Sequence, residues 1–225
     1  VMPTEESKAG FVPSEISRAG SYLVILEGTF SRVGISSNVY IANHDGKHYL
    51  FDSSGDPELM KYLLPLGITK ESLGGVFLTH GHYDHVRGLL SIPEGSTPIF
   101  LAEGDRALAG ACLGKREIRD MDTAKDILAL LGLEEVKTPG HTPGSVCLYS
   151  KRDRLLISGD TVFSEGFFGR TDLPEGNNRQ MIDSLRMLSQ MEIDAILPGH
   201  GQPLLKKASE SVAAALENAI CLLRV

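Results

Sequence analysis

Thr79-His80-Gly81-His82-Tyr83-Asp84-His85 sets three imidazoles and a carboxylate within six positions. Imidazole nitrogen and carboxylate oxygen are the donors that zinc and related borderline-soft divalent cations accept, so this spacing points to metal binding. A polar surface loop would not need so dense a histidine group. Three later stretches repeat one design, an apolar run followed by a polar residue in a Gly/Pro turn. They end in Thr138-Pro139-Gly140-His141-Thr142-Pro143-Gly144, Ile157-Ser158-Gly159-Asp160 and Leu197-Pro198-Gly199-His200. Taken singly, His141 suits a structural histidine equally well, and Asp160 suits a helix cap. Taken together, five of the 7 histidines occupy strand-end turns, which isolated accidents do not produce.

Positioning these groups requires strands that end where the ligands begin. Val76-Phe77-Leu78, bounded by Gly74-Gly75, reads as a buried strand. Val86, Leu89 and Leu90 then follow at helical spacing, with Asp84 suited to the helix start. The cluster therefore falls in a strand-to-helix turn, where function collects in layered α/β proteins. Upstream, Tyr22–Leu26, Asn38–Ala42 and His48–Asp52 read as strands, the last two joined through a hairpin signal at Asp45-Gly46. His44 and His48 are expected to be solvated turn residues. Asp52 is open between a carboxylate supporting the ligands and a simple turn former. Asp56-Pro57 opens a helix through Leu64, Pro98–Leu101 forms a strand and Glu103–Ala109 a helix. Gly110–Asp120, with Lys115, Arg116 and Arg119, is expected to be a flexible stretch, either a lid over the cavity or a solvated loop. Residues 124–133 fit helix by composition and a buried strand by their short apolar run. Residues 1–20 read as an irregular lead-in and residues 206–223 as a C-terminal helix on one domain spanning 1–225.

With 225 residues, 42% hydrophobic and 23% charged, the chain has the composition of an ordinary globular protein. A net charge of −7 argues against nucleic acid as a partner. No apolar run is long enough for a membrane span, and the first residues lack a signal-peptide pattern, so a cytoplasmic setting is expected. The 3 cysteines, Cys112, Cys147 and Cys221, are too scattered for a zinc ribbon or a disulfide framework. Cys147 reads as a small core residue.

His80-x-His82-x-Asp84-His85, then His141, Asp160 and His200 in this order, resembles the metallo-β-lactamase fold hydrolases, from the first strands to Pro203. The resemblance implies an α/β (α+β) fold, an αββα sandwich of two mixed sheets flanked by helices, with the metals along one edge between the sheets. It implies a strand at Asp126–Leu130. It also implies that His80, His82 and His141 bind one metal and Asp84, His85 and His200 the other, with Asp160 and a hydroxide bridging. Two zinc ions are expected, with iron or manganese as alternatives. Asp84 and Asp160 are the carboxylates expected to serve catalysis. Gly159-Asp160-Thr161 followed by Gly169-Arg170-Thr171-Asp172 looks like the glyoxalase II-like (hydroxyacylglutathione hydrolase-like) branch, in a short form without its helical C-terminal extension. That likeness implies a thioesterase acting on a small thioester or ester, and two divalent cations against two carboxylates and a hydroxide leave positive charge that suits an anionic one; Arg170 and Tyr83 are the expected substrate contacts. Arg170 has a second reading, an ion pair with Asp172. The aromatic pair that follows the basic residue in glyoxalase II is replaced here by Thr171-Asp172, which leaves glutathione open. The persulfide dioxygenases share the loop and imply an alternative, one iron held by His80, His141 and Asp160. A non-catalytic metal-binding protein is the third reading.

Overall fold

The computed structural model describes residues 13–15, 24–26 and 35–223. β1 (Pro13–Glu15), β2 (Val24–Leu26), β3 (Val39–His44), β4 (Lys47–Phe51), β5 (Leu73–Phe77), β6 (Ile99–Leu101) and β7 (Arg119–Asp120) form a seven-stranded sheet in chain order. Its pairings are antiparallel up to β4 and parallel from β4 to β7. β8 (Glu134–Lys137), β9 (Val146–Ser150), β10 (Leu155–Gly159) and β11 (Ala195–Pro198) form a four-stranded sheet, order β11-β10-β9-β8, with β10 and β11 parallel.

Period-two alternation assembles the layers, because successive strand side chains point to opposite faces. Tyr40, Tyr49, Phe51, Phe77 and Phe100 of the large sheet meet Val146, Leu148, Leu155, Ile157 and Leu197 of the small one in the central core. Phe77 stacks between Phe51 and Phe100, with centroids 5.6 and 5.1 Å away. Truncating such a ring to Ala costs about 3–5 kcal/mol. The alternate residues Val39, Ile41, Leu50 and Val76 face outward and are covered by α1 (Leu59–Leu63), α2 (Tyr83–Val86) and α3 (Arg106–Leu113). Cys147, Tyr149, Leu156 and Ile196 on the small sheet's outer face are covered by α5 (Asn178–Leu188) and α6 (Ala208–Leu222). The result is helix, sheet, sheet, helix. Among the described residues no helix is long and apolar enough to cross a membrane.

Several expectations need correction. Pro13–Glu15, inside the supposed irregular lead-in, pairs with β2; the rest of residues 1–20 lies outside the described residues, as do Tyr22 and Leu23 of the first expected strand. Asp126–Leu130 is not a strand but most of the helix α4 (Lys125–Leu130), as its composition favoured. Met121, Ala124 and Leu128 are buried, at helical rather than alternating spacing, and the Asp120 carboxylate caps the preceding turn by accepting from Asp122 N–H at 2.8 Å. Gly110–Asp120 is no lid. Its first residues continue α3, its last form β7, and between them the Arg116 guanidinium donates to the Leu89 and Ile92 carbonyls while Ile118 is buried. The helix expected from Glu103 starts as a 3-10 turn, Glu103–Asp105, before α3. His48 is not simply solvated, since its ring lies between Asn43 Nδ2 at 3.0 Å and Ser72 Oγ at 3.1 Å. The hairpin at Asp45-Gly46 is present, with both residues at positive φ (49° and 75°), the requirement of a tight two-residue turn.

Candidate metal centre

All seven expected ligands meet at one end of the sandwich. The turn after β5 brings His80 and His82, and α2 brings Asp84 and His85; the β8–β9 loop brings His141; Asp160 and His200 follow the ends of β10 and β11. One atom each from His80, His82 and His141 lies within 4.8 Å of the others, and the same holds for Asp84, His85 and His200 and for His80, His85 and Asp160. Four tetrahedral donors about 2.0–2.2 Å from a cation stand roughly 3.3–3.6 Å apart. The contacts here are of that size: His85 Nε2 to His200 Nε2 3.3 Å, His85 Nε2 to Asp160 Oδ1 3.3 Å, His141 Nε2 to Asp160 Oδ2 3.6 Å, and His200 Nε2 to Asp160 Oδ2 3.4 Å and to Asp84 Oδ2 3.1 Å. His82 Nδ1 and His141 Nε2 are closer, at 2.8 Å.

Hydrogen bonds behind the rings decide which nitrogen faces the centre. The Thr79 hydroxyl donates to Asp52 Oδ2 (2.9 Å), so towards His80 Nδ1, 3.1 Å away, it can only accept. His80 therefore carries its proton on Nδ1 and turns a bare Nε2 inward, where that buried atom has no hydrogen-bond partner. His141 Nδ1–H donates to the Arg170 carbonyl at 2.8 Å, again leaving Nε2 inward. His85 Nδ1–H donates to Asp52 Oδ2 at 2.8 Å. Buried Asp160 Oδ1, although close to His85, likewise lacks a hydrogen bond. Bare lone pairs converging in a buried space are costly without a cation to share, so the donor set fits divalent metal.

Charges follow the same geometry. Burial pushes His80 well below the ordinary histidine range, and its histidine neighbours add to this. Burial opposes protonation of His85 too, yet the carboxylates of Asp52 and Asp160 hold it well above that range. For His200, burial is outweighed by Asp160 and Asp84, which raise it to about 9. Burial would raise Asp160, but His85 and His200 keep it well below the usual carboxylate range.

The sequence left one supporting group undecided and missed two. Asp52 is the buried anchor of both Thr79 and His85, and also accepts Thr79 N–H at 2.8 Å. Asp105, fully buried, ties two ligand loops together: it accepts from Gly81 N–H (2.8 Å), the Thr142 hydroxyl (2.6 Å) and Gly144 N–H (2.7 Å). It stands four positions beyond β6, and nothing in that local setting marks the loops it braces. Asn38 donates from Nδ2 to the carbonyls of Pro198 and Gly201, both at 2.9 Å, and its own N–H reaches Gly199 O at 2.7 Å. Gly199 has no room for a side chain, since a Cβ would meet Asp160 Oδ1 and come within 2.6 Å of His85. Tyr83 and Arg170 line the cavity in front of the ligands, and the Arg170 guanidinium is paired with Asp172 at 2.8 and 2.9 Å.

Residues 32–200 match the family model described as the metallo-beta-lactamase superfamily. The chain belongs to that superfamily. It is 34% identical over 185 residues to the "Probable metallo-hydrolase YqgX" of Bacillus subtilis (strain 168), covering 74% of this chain and 86% of that protein. A "Hydroxyacylglutathione hydrolase" of Ectopseudomonas mendocina is 37% identical over 131 residues, but these are 57% of this chain and only 44% of that protein. Among solved structures, TTHA1623 "in a di-iron-bound form" superposes with a TM-score of 0.63 at 26% identity, covering 78% of this chain and 91% of that one.

Proposed function

We propose that the chain is a binuclear metal-dependent hydrolase of small thioesters or esters. The observation that carries this reading is the convergence of seven donor atoms on one buried space, with the opposite ring nitrogens of His80, His85 and His141 already committed. His80, His82 and His141 would hold one cation, Asp84, His85 and His200 the second, and Asp160 would join them. When bound, a divalent pair of this kind lowers the pKa of water to about 7 and polarises a carbonyl.

The chain's own residues orient and exclude. Asp52 and Asp105 fix the ligand loops, so the donors need no reorganisation when substrate arrives. Asp160 would be committed to both cations, so Asp84, which would touch only one, is the carboxylate placed to accept a proton from attacking water. In the balanced reaction water adds to the acyl carbon, the C–S bond breaks, the thiolate leaves with the bonding pair and is protonated, and the acid departs as carboxylate. A thiolate leaves readily, and no separate acid is needed in the wall. The name of the YqgX relative supports a hydrolase, and zinc is the cation the donor set suits best. Convergence of Asp84, His85 and His200 favours two metals over the single-iron oxygenase reading, in which those three ligands would be idle.

The test is Asp160→Ala. Metal content by mass spectrometry should fall from two towards one per chain, and thioester turnover should drop at least a thousandfold. Wild-type metal content and rate in that variant overturn the proposal.

A further inference from the structure

Resting on the hydrolase reading above, we propose that the acyl group this centre accepts is neutral and apolar, a medium-length or aromatic hydrocarbon, rather than one carrying a carboxylate. The cavity in front of the ligands has a volume of about 520 Å³ and is walled by Ile35, Tyr83, Phe163, Phe168 and Leu173. Ile35 and Tyr83 keep 47% and 49% of their surface exposed. Single exposed apolar residues are ordinary, but a concave set of five around polar reacting groups is how small-molecule sites are built.

The charge of the wall, as distinct from that of the cations, departs from the anionic substrate expected above. Among the described residues Arg170 is the wall's one arginine or lysine, and its guanidinium is taken by Asp172 in a bidentate pair, Nε to Oδ1 at 2.8 Å and Nη2 to Oδ2 at 2.9 Å. An anionic acyl group must compete with a tethered carboxylate for that fork and also bear its repulsion. A hydrocarbon group meets neither obstacle.

The apolar wall is also preformed. Val162 bridges to Phe168, and Phe163 N–H donates to Phe167 O at 2.9 Å, closing the loop that displays Phe163 and Phe168. α6 pins this loop: Ser211 Oγ accepts Gly166 N–H at 2.9 Å and donates to Phe163 O at 3.1 Å, and Asn218 Nδ2 donates to Gly166 O at 2.9 Å. Little ordering is left for binding to oppose, so contact with the rings goes into affinity.

The experiment uses the zinc-loaded protein and N-acetylcysteamine thioesters of acetate, hexanoate, phenylacetate and succinate. Each methylene fully buried is worth about fourfold. Hexanoyl and phenylacetyl thioesters should therefore exceed both acetyl and succinyl by roughly tenfold or more in kcat/KM. Asp172→Asn, which frees the Arg170 fork, should raise the succinyl-to-hexanoyl ratio at least fivefold. Calorimetry of hexanoate against succinate on the loaded protein reads the same preference without turnover, and hexanoate should bind more tightly. Equal or better cleavage of the succinyl thioester, or tighter succinate binding, overturns the inference. No turnover of any thioester with tighter hexanoate binding supports this inference while overturning the thioesterase reading.

Discussion

His85 lies between two carboxylates, with Asp52 accepting from Nδ1 at 2.8 Å and Asp160 near Nε2 at 3.3 Å. The first contact chooses the tautomer for the second. Asp52→Asn should keep Thr79 N–H satisfied through the amide oxygen while facing His85 with an N–H₂. The ring would then move its proton to Nε2 and lose the inward lone pair. Loss of such a supporting partner costs 10–100-fold in metal affinity, measurable by competition with a chromogenic chelator; unchanged affinity would show that Asp52 is only a turn former. Protons and metal also compete at His200. Its folded pKa of about 9 lies above the ordinary value of 6.5, so in the metal-free protein its contribution to stability is complete below pH 6.5 and is lost as pH rises through 9. The metal requires the neutral ring, so metal affinity should instead rise with pH over the same window. Thermal melts at pH 6.5, 7.5 and 9, with and without zinc, should show the zinc-induced shift widening with pH. A shift that narrows would contradict the assignment of His200 as a ligand.

Turns, more than regular elements, build the centre. Gly199 follows β11 where a Cβ would run into Asp160 and His85, and Gly199→Ala should push both ligands out of place. The expected outcome is a folded protein by circular dichroism with less than half the wild-type metal content; full loading would mean the turn can shift without cost. These turns were legible in the sequence because they follow short apolar runs and carry Gly or Pro; their setting singled out the seven candidate positions, and the family resemblance divided them between two cations. α4 was half legible: its Ala, Leu and Lys content favoured helix, while its short apolar run and the family resemblance argued for a strand. Arg116 and Asp105 were not legible. Nothing local says that a charged side chain in a Gly-rich stretch will satisfy carbonyls near Leu89 and Ile92, or that an acid after β6 will brace the loops of Gly81 and Thr142. Those are long-range pairings, invisible to periodicity.

At the scale of the whole molecule, two sheets with opposite faces dressed by helices follow from alternation that the strands already show. The parallel pairings of β4 with β5 and of β10 with β11 join residues tens of positions apart, which alternation alone does not specify. The large sheet supplies His80, His82, Asp84 and His85, and the small sheet supplies His141, Asp160 and His200. That division has a consequence for how the chain acquires its metal. His85 and His200 are 115 positions apart, so no complete pocket exists until both sheets have formed and docked. Distant contacts of this kind form slowly, because the loop must close before they reward it. Capture of the full metal complement should therefore be a late event in refolding. In stopped-flow refolding with a zinc-sensitive dye, uptake should follow the recovery of secondary structure and coincide with final burial of the tyrosines. Uptake of both metals in the earliest phase would instead mean that the heptad at 79–85 gathers them alone.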